Sequence, residues 1–288
     1  MTWMWITNPE ELERVKPLEA EGARVRAEIA EIVSLGSDTA CRLCGVETAL
    51  TEEHAPSRKA GNRGRLIRGM IDHAASAAGG SVVWRGQMIQ GGAKYDSLCA
   101  ACNNTTGSWY NVAYVRLVRA AVKLATPGTA GAACDVAVLN PQRVAKQALV
   151  SMVATSQPGL TTRYPHIRTL LCEREARGSI APLRLWFYLR ATSGGVATGL
   201  ATGLDIDRGR GNLLAGFSFW PLGWIMTIGD VAEVKGTVEV STWTELAYMD
   251  RGPIEVKIPC QWAISPYPGD FRSPDEVGPD AWKILPLT

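Results

Sequence analysis

Histidine is scarce in this sequence. Three occur in 288 residues, at positions 54, 73 and 166, so any chemistry that needs an imidazole must draw on one of them. Long apolar runs are missing too. None approaches the roughly 20 residues that a membrane-spanning helix requires, and no membrane association is expected. The opening MTWMWITNPEELERV has neither the basic n-region nor the apolar h-region of a secretory signal, and the expected location is the cytoplasm. Charge of one sign is not in excess: 30 Lys and Arg against 28 Asp and Glu leave a formal net charge of +2. A nucleic-acid partner must then be gripped by basic residues concentrated locally. There is no internal repeat and no low-complexity tract. The back half carries neither a phosphate-cradling Gly-x-Gly-x-x-Gly nor a Walker pattern.

The balance of what is present, 46% hydrophobic and 20% charged, is that of a globular chain with room for two domains or one large one. Seven cysteines is an odd number, and four fall into two C-x-x-C pairs, Cys41/Cys44 and Cys99/Cys102. In a reducing compartment that pattern points to metal rather than to disulfides. Two such pairs supply the four sulfur ligands of a closed, structural zinc site; the competing reading is four buried cysteines without a metal. Cys134, Cys172 and Cys260 have no such partners and read as core residues.

Hydropathy patterning divides the chain into three parts. Residues 1–37 hold a helix over 9–35, with Pro17 as a candidate first helical residue and Val25, Ile29, Ile32 and Val33 at helical spacing. Residues 38–127 contain the cysteine pairs and a mostly buried helix over 108–124. Residues 128–288 read as a mixed α+β domain: a strand over 133–139, a helix from Pro141 to about 154, then β-prone runs over 183–191, 213–219, 225–228, 237–242 and 254–258 that imply an antiparallel sheet. The tail beyond Pro266 is rich in Pro, Asp and Gly and is placed on the surface.

Between the cysteine pairs stands Thr51-Glu52-Glu53-His54-Ala55-Pro56, and Asn103-Asn104-Thr105-Thr106-Gly107 follows the second pair. C-x-x-C, an acidic-His-x-Pro step, then C-x-x-C-N running into a helix resembles the zinc-knuckle form of the HNH (ββα-metal) endonuclease family, over roughly residues 38–120. The resemblance implies a β-hairpin followed by a helix, a structural zinc and one catalytic divalent cation. It implies that His54 is the general base and that Glu53 and Asn103 ligate the cation. A glutamate and an asparagine offer oxygen ligands, which suit Mg²⁺ or Mn²⁺. It also implies DNA as the partner, with restriction or anti-phage defence as the family's common context. The chemistry agrees with the residue types: phosphodiester hydrolysis needs an activated water and a cation for the phosphate charge, and a histidine titrates near the working pH. Each residue also has a plainer reading: His54 as a hydrogen-bonded structural residue, Asn103 as a helix N-cap, Glu53 as a solvated carboxylate. Glu52 reads as a surface residue, and His73 and His166 as structural. The family's middle Asn has no counterpart in Lys94-Tyr95-Asp96-Ser97. Asp96 or a backbone carbonyl is left to orient the histidine, unless the site is weakened, and Asn104 can share the role given to Asn103.

The stretch 57–69 carries Arg58, Lys59, Arg63, Arg65 and Arg68 with no acidic residue. It reads either as a phosphate-gripping loop or as a solvated basic one. A helix over 66–78 and a strand over 82–89, the second arm of the hairpin, are expected after it. Trp109 and Tyr110 suit base stacking or, more ordinarily, the core. The leading expectation is a metal-dependent DNA endonuclease. Two alternatives stand beside it: a non-catalytic zinc-ribbon nucleic-acid-binding protein, and a nuclease effector regulated by a ligand or partner at residues 128–288. No surface in the sequence declares an oligomeric state.

Overall fold

The structure, a computed structural model, describes residues 18–64, 66–72, 82–205, 210–264, 269–277 and 282–285. Its fold is mixed α+β. In chain order the described elements are α1 (Leu18–Ser34), β1 (Leu50–His54), β2 (Leu66–Asp72), β3 (Val82–Ile89), β4 (Lys94–Cys99), α2 (Ala100–Ala121), β5 (Ala133–Val138), α3 (Pro141–Thr155), α4 (Leu160–Arg163), α5 (Pro165–Cys172), β6 (Leu183–Arg190), β7 (Gly195–Asp205), β8 (Arg210–Phe219), β9 (Leu222–Ile228), β10 (Val238–Glu239), β11 (Ile254–Gln261), α6 (Pro274–Val277) and β12 (Trp282–Leu285). Among the described residues no helix is long and apolar enough to cross a membrane.

A seven-stranded sheet, in the order β5-β11-β6-β9-β8-β7 with β10 paired to β6, organises the molecule. Its pairings are antiparallel except for β11 beside β6, which is parallel. Period-two alternation explains why its centre tolerates so many apolar residues. Leu185, Phe187 and Leu189 of β6, with Trp224 and Met226 of β9, enter the main core under the helices. Trp186, Tyr188 and Ile225 point the other way, into a second cluster with Val231, Val234 and Ala263. Both faces are therefore covered. On the main side Phe187 stacks on Trp224 with ring centroids 4.4 Å apart.

α1 crosses β7 and β8. Val25 and Ile32 are fully buried and Ile29 partly so, whereas Val33, counted in the apolar stripe, is exposed. The approach is close at Gly211, where a Cβ would stand 2.8 Å from Val25 and 3.0 Å from the Glu21 carbonyl oxygen. The start of the expected helix, including Pro17, lies outside the described residues.

Three expectations for residues 38–127 change. Residues 66–72 form a strand instead of a helix, because they pair antiparallel with β3 from Leu66↔Ile89 to Asp72↔Val83; a long cross-strand partner overrides weak helical propensity. Residues 82–89 are then not the second arm of the hairpin. That arm is β4, paired with β1 from Leu50↔Cys99 to His54↔Lys94, while β3 joins β2 and β12 in a separate sheet. Finally, α2 starts at Ala100, eight residues before the expected 108, since Cys99 caps it: the Cys99 Sγ accepts from the Cys102 backbone N–H at 3.4 Å.

Candidate metal centre and cleft

The sulfur atoms of Cys41, Cys44, Cys99 and Cys102 all lie within 4.8 Å of one another, and those of Cys44 and Cys99 are 3.9 Å apart. Tetrahedral zinc–sulfur bonds of about 2.3 Å put neighbouring sulfurs ~3.8 Å apart, so the donor set fits a metal such as zinc. The electrostatics point the same way. The Cys41 thiol is held down to about 4, chiefly by its hydrogen bond with Cys102, and Cys102 is pushed up, first by Cys172 and then by Cys41. Such neighbours cannot all ionise without a cation among them.

The knuckle is tied to the rest of the fold through Arg42. Its guanidinium donates to the carbonyls of Ala154 at 2.8 Å and Ser156 at 2.5 Å, at the C-terminal end of α3. A cation there satisfies carbonyls that the helix cannot pair and opposes its dipole. Thr161 donates back to the Arg42 carbonyl at 2.7 Å. Cys172, expected as an unpartnered core residue, is half-buried beside Cys102, whose interaction lowers its pKa. It lines an apolar cavity of about 650 Å³ with Leu43, Val46 and Trp109. Cys260 is a core residue as expected.

One step from the knuckle lies a cleft of about 220 Å³. Glu53, His54 and Asn103 all line it. Alternation along β1 turns Thr51 and Glu53 toward α2, where the Asn103 amide donates to Thr51 Oγ1 at 3.1 Å and hydrogen-bonds the Glu53 carboxylate. Asn103 is thus on the cleft and is not the N-cap, a position held by Cys99. Burial raises Glu53 to about 7, with the Asn103 bond pulling only partly against it. Glu52 is exposed and paired with Lys94 at 2.7 Å, as a surface residue should be.

His54 is half-buried at the end of β1, with Nε2 3.3 Å from the Gly91 carbonyl oxygen. A carbonyl only accepts, so Nε2 carries the proton and Nδ1 is left as the acceptor. Burial, ahead of the charges on Lys94 and Arg58, lowers its pKa below 6.5 despite the opposing Gly91 bond. The imidazole is therefore mostly neutral at neutral pH. A backbone carbonyl, and not Asp96, orients this ring.

That carbonyl is held by a residue missed in the sequence. Asn62 is fully buried; its amide donates to the carbonyls of Pro56 at 2.7 Å and Ala93 at 2.9 Å, and its Oδ1 accepts from Ala93 N–H at 2.6 Å. It pins the turn carrying Gly91 and Gly92 against the turn after His54. Gly92 is obligatory there, with φ +95° and a Cβ position 2.2 Å from Asn62 Oδ1. Asn62→Ala is expected to cost about 2–4 kcal/mol in unfolding free energy, since three buried groups lose their partner. Chemical denaturation checks this, and a change under ~0.5 kcal/mol would discount the clamp.

The other walls come from Ser57, Arg58, Thr106, Gly107, Asn111 and Gln147. Asn103, Gly107 and Asn111 recur every four residues, so one face of α2 lines the cleft, and the open space beside Gly107 keeps it clear. That spacing was a legible signal for Asn111. Gln147 reaches in from α3 and had none: it is 4% exposed and its Oε1 has no hydrogen-bond partner. An orphaned buried acceptor costs roughly 1–3 kcal/mol.

Of the five basic residues predicted to grip phosphate, Arg58 reaches the cleft, and Lys59 and Arg63 are exposed near it. Arg65 lies outside the described residues, and Arg68 is on β2. Tyr110 is fully buried and presents no face for base stacking, whereas Trp109 is part-buried, packing against the core while lining the apolar cavity. His73 lies outside the described residues; His166 sits edge-on to Tyr164 at 6.3 Å. No family model, no curated protein and no solved structure matches this chain.

Proposed function

We propose that this protein is a metal-dependent nuclease that hydrolyses phosphodiester bonds of DNA by the HNH type of chemistry. The observation that carries the reading is the convergence of Glu53, His54 and Asn103 on one cleft, from a strand and a helix about fifty residues apart. The strand–strand–helix order of β1, β4 and α2 around a four-cysteine cluster agrees with the fold that the sequence resemblance implies.

In this reading Glu53 and Asn103 hold one Mg²⁺ or Mn²⁺ through oxygen atoms. The cation supplies charge stabilisation for the phosphate and the departing 3′-oxygen. His54 Nδ1 takes a proton from the attacking water, and Gly91 keeps the ring facing the cleft. Arg58 at the rim offers a guanidinium to a neighbouring phosphate. The four-cysteine site is closed and takes no part in the reaction.

The test is relaxation of supercoiled plasmid with Mg²⁺, Mn²⁺ or EDTA. Cleavage only in the presence of a divalent cation is expected; a zinc-loaded protein that binds DNA but neither takes up Mg²⁺ nor cuts would point to a zinc-ribbon binding protein instead.

The raised pKa of Glu53 carries a separate prediction. The folded state holds this proton up to about pH 7 while the unfolded chain releases it near 4.5. The resulting stability is complete below 4.5 and is lost as pH climbs through 7. In EDTA at pH 8, Glu53→Gln is therefore expected to melt higher than wild type and to lose the stabilisation that Mn²⁺ confers on wild type. Melting curves with and without Mn²⁺ check this, and equal Mn²⁺ stabilisation of both proteins would remove Glu53 from the cation site.

A further inference from the structure

We propose that Ser57, Asn111 and Gln147 form a nucleoside subsite that makes cleavage selective for the nucleotide beside the cut. The inference rests on the nuclease reading above and adds the part of the substrate that its charged groups leave unaddressed.

The cleft lining holds two kinds of group. Glu53, His54 and Arg58 suit a cation, a water and a phosphate. Ser57, Asn111 and Gln147 are neutral hydrogen-bonding groups. Ser57 Oγ donates to Asn111 Oδ1 at 2.7 Å, which fixes the Asn111 amide and turns its N–H₂ end away from the hydroxyl. Gln147 brings a carbonyl oxygen without a partner. A neutral donor and a neutral acceptor in one lining match a nucleobase edge, which offers the same pair in reverse. A phosphate would call for cations in their place.

Gln147 is singled out by its surroundings. Arg143 and Lys146, its neighbours on α3, have their donors satisfied by carbonyls: Arg143 by Trp109 at 2.7 and 2.9 Å, Lys146 by Glu173 and Arg174 at 3.2 and 3.1 Å. Both stitch the helix to its surroundings. Among the described residues with a buried, unpartnered polar side-chain atom, Gln147 is the one that lines the cleft. A group that is costly to leave unsatisfied, on a residue that lines the cleft, is an acceptor set for a ligand. Selectivity follows because a base that cannot donate there leaves the orphan unpaired.

The test uses the full chain and two independent readouts. In the first, the His54→Ala protein with Ca²⁺ is titrated with fluorescent homopolymeric deoxyoligonucleotides of each base. About a tenfold spread in affinity among the four is expected. Adding Gln147→Met, which keeps the volume and removes the carbonyl, should collapse the spread to within about twofold. In the second, random-sequence DNA is cut by wild type and by Gln147→Met, and the product ends are sequenced. The preferred nucleotide at the cut should be lost in the variant. Asn111→Leu serves as a second variant if Gln147→Met melts early. An unchanged spread and unchanged ends in either folded variant would overturn the subsite. If nothing is cut but the spread exists and depends on Gln147, the subsite stands and the nuclease reading falls. If no oligonucleotide binds, both fall.

Discussion

Replacing His54 with alanine is expected to lower cation-dependent plasmid cleavage by roughly 10³-fold, the scale of a lost general base, while the protein stays folded. The geometry sets both halves of this expectation. The imidazole lines the cleft beside Glu53 and Asn103, its proton is fixed on Nε2 by the Gly91 carbonyl, and its lowered pKa keeps Nδ1 free to accept. The side chain is only half-buried and makes one long hydrogen bond, so stability should fall by no more than about 1 kcal/mol. In wild type, activity should climb as pH rises through the histidine pKa, because only the neutral ring acts as a base; in the variant this limb should vanish, leaving the rise near 7 at which Glu53 frees its carboxylate for the cation. A clean His54→Ala preparation that still cuts at the wild-type rate with Mg²⁺ would remove the histidine from the mechanism.

The second large effect is structural. Cys44→Ser or Cys102→Ser is expected to abolish zinc retention and to cost several kcal/mol of stability, since a structural zinc site contributes its binding energy to folding. The cost should spread beyond the knuckle. The pairs are far apart in sequence, and a metal holding both closes the loop that carries β1 and β4. Arg42 and the fully buried Leu43, between the first two thiols, tie this loop to the end of α3 and to the core. Asn103 follows Cys102 directly, so a frayed α2 would carry this proposed cation ligand away with it. Cys134→Ser, at a half-buried position on β5, is the control, with little change expected. Elemental analysis for one zinc per chain and melting curves with and without chelator check this. A Cys44→Ser protein that keeps its zinc and its melting temperature would make the cluster incidental.

Much of the site was legible because its chemistry is carried by short local patterns. Two C-x-x-C pairs announce a four-sulfur cluster whatever surrounds them, since each places two thiols on one turn of chain. The Glu-His step before Pro56 and the Asn after Cys102 marked three residues that do meet in one cleft. Helix α3 was equally clear, because Pro141 is preset for a first helical turn. The β-rich back half was read in outline, but β7 was missed: with Gly195, Gly199 and Gly203 it has little of the apolar signal that marks a strand, and only its pairing with β8 makes it one.

The sequence alone therefore determined the kinds of group and the local turns that present them: the thiol pairs, the Glu53–His54 step at the end of β1, the amide at the start of α2, and the mixed α+β class. Tertiary structure decided what depends on long-range closure. It chose β4 over β3 as the partner of β1, because register is set by pairing across the sheet and not by strand propensity. It assigned the orientation of His54 to the Gly91 carbonyl and the restraint of that carbonyl to Asn62, 29 residues before it in the chain. It also brought Gln147 from α3 to the floor of the cleft. Such contacts leave no mark in a linear pattern, because a buried amide is defined by the distant groups it faces and not by its sequence neighbours.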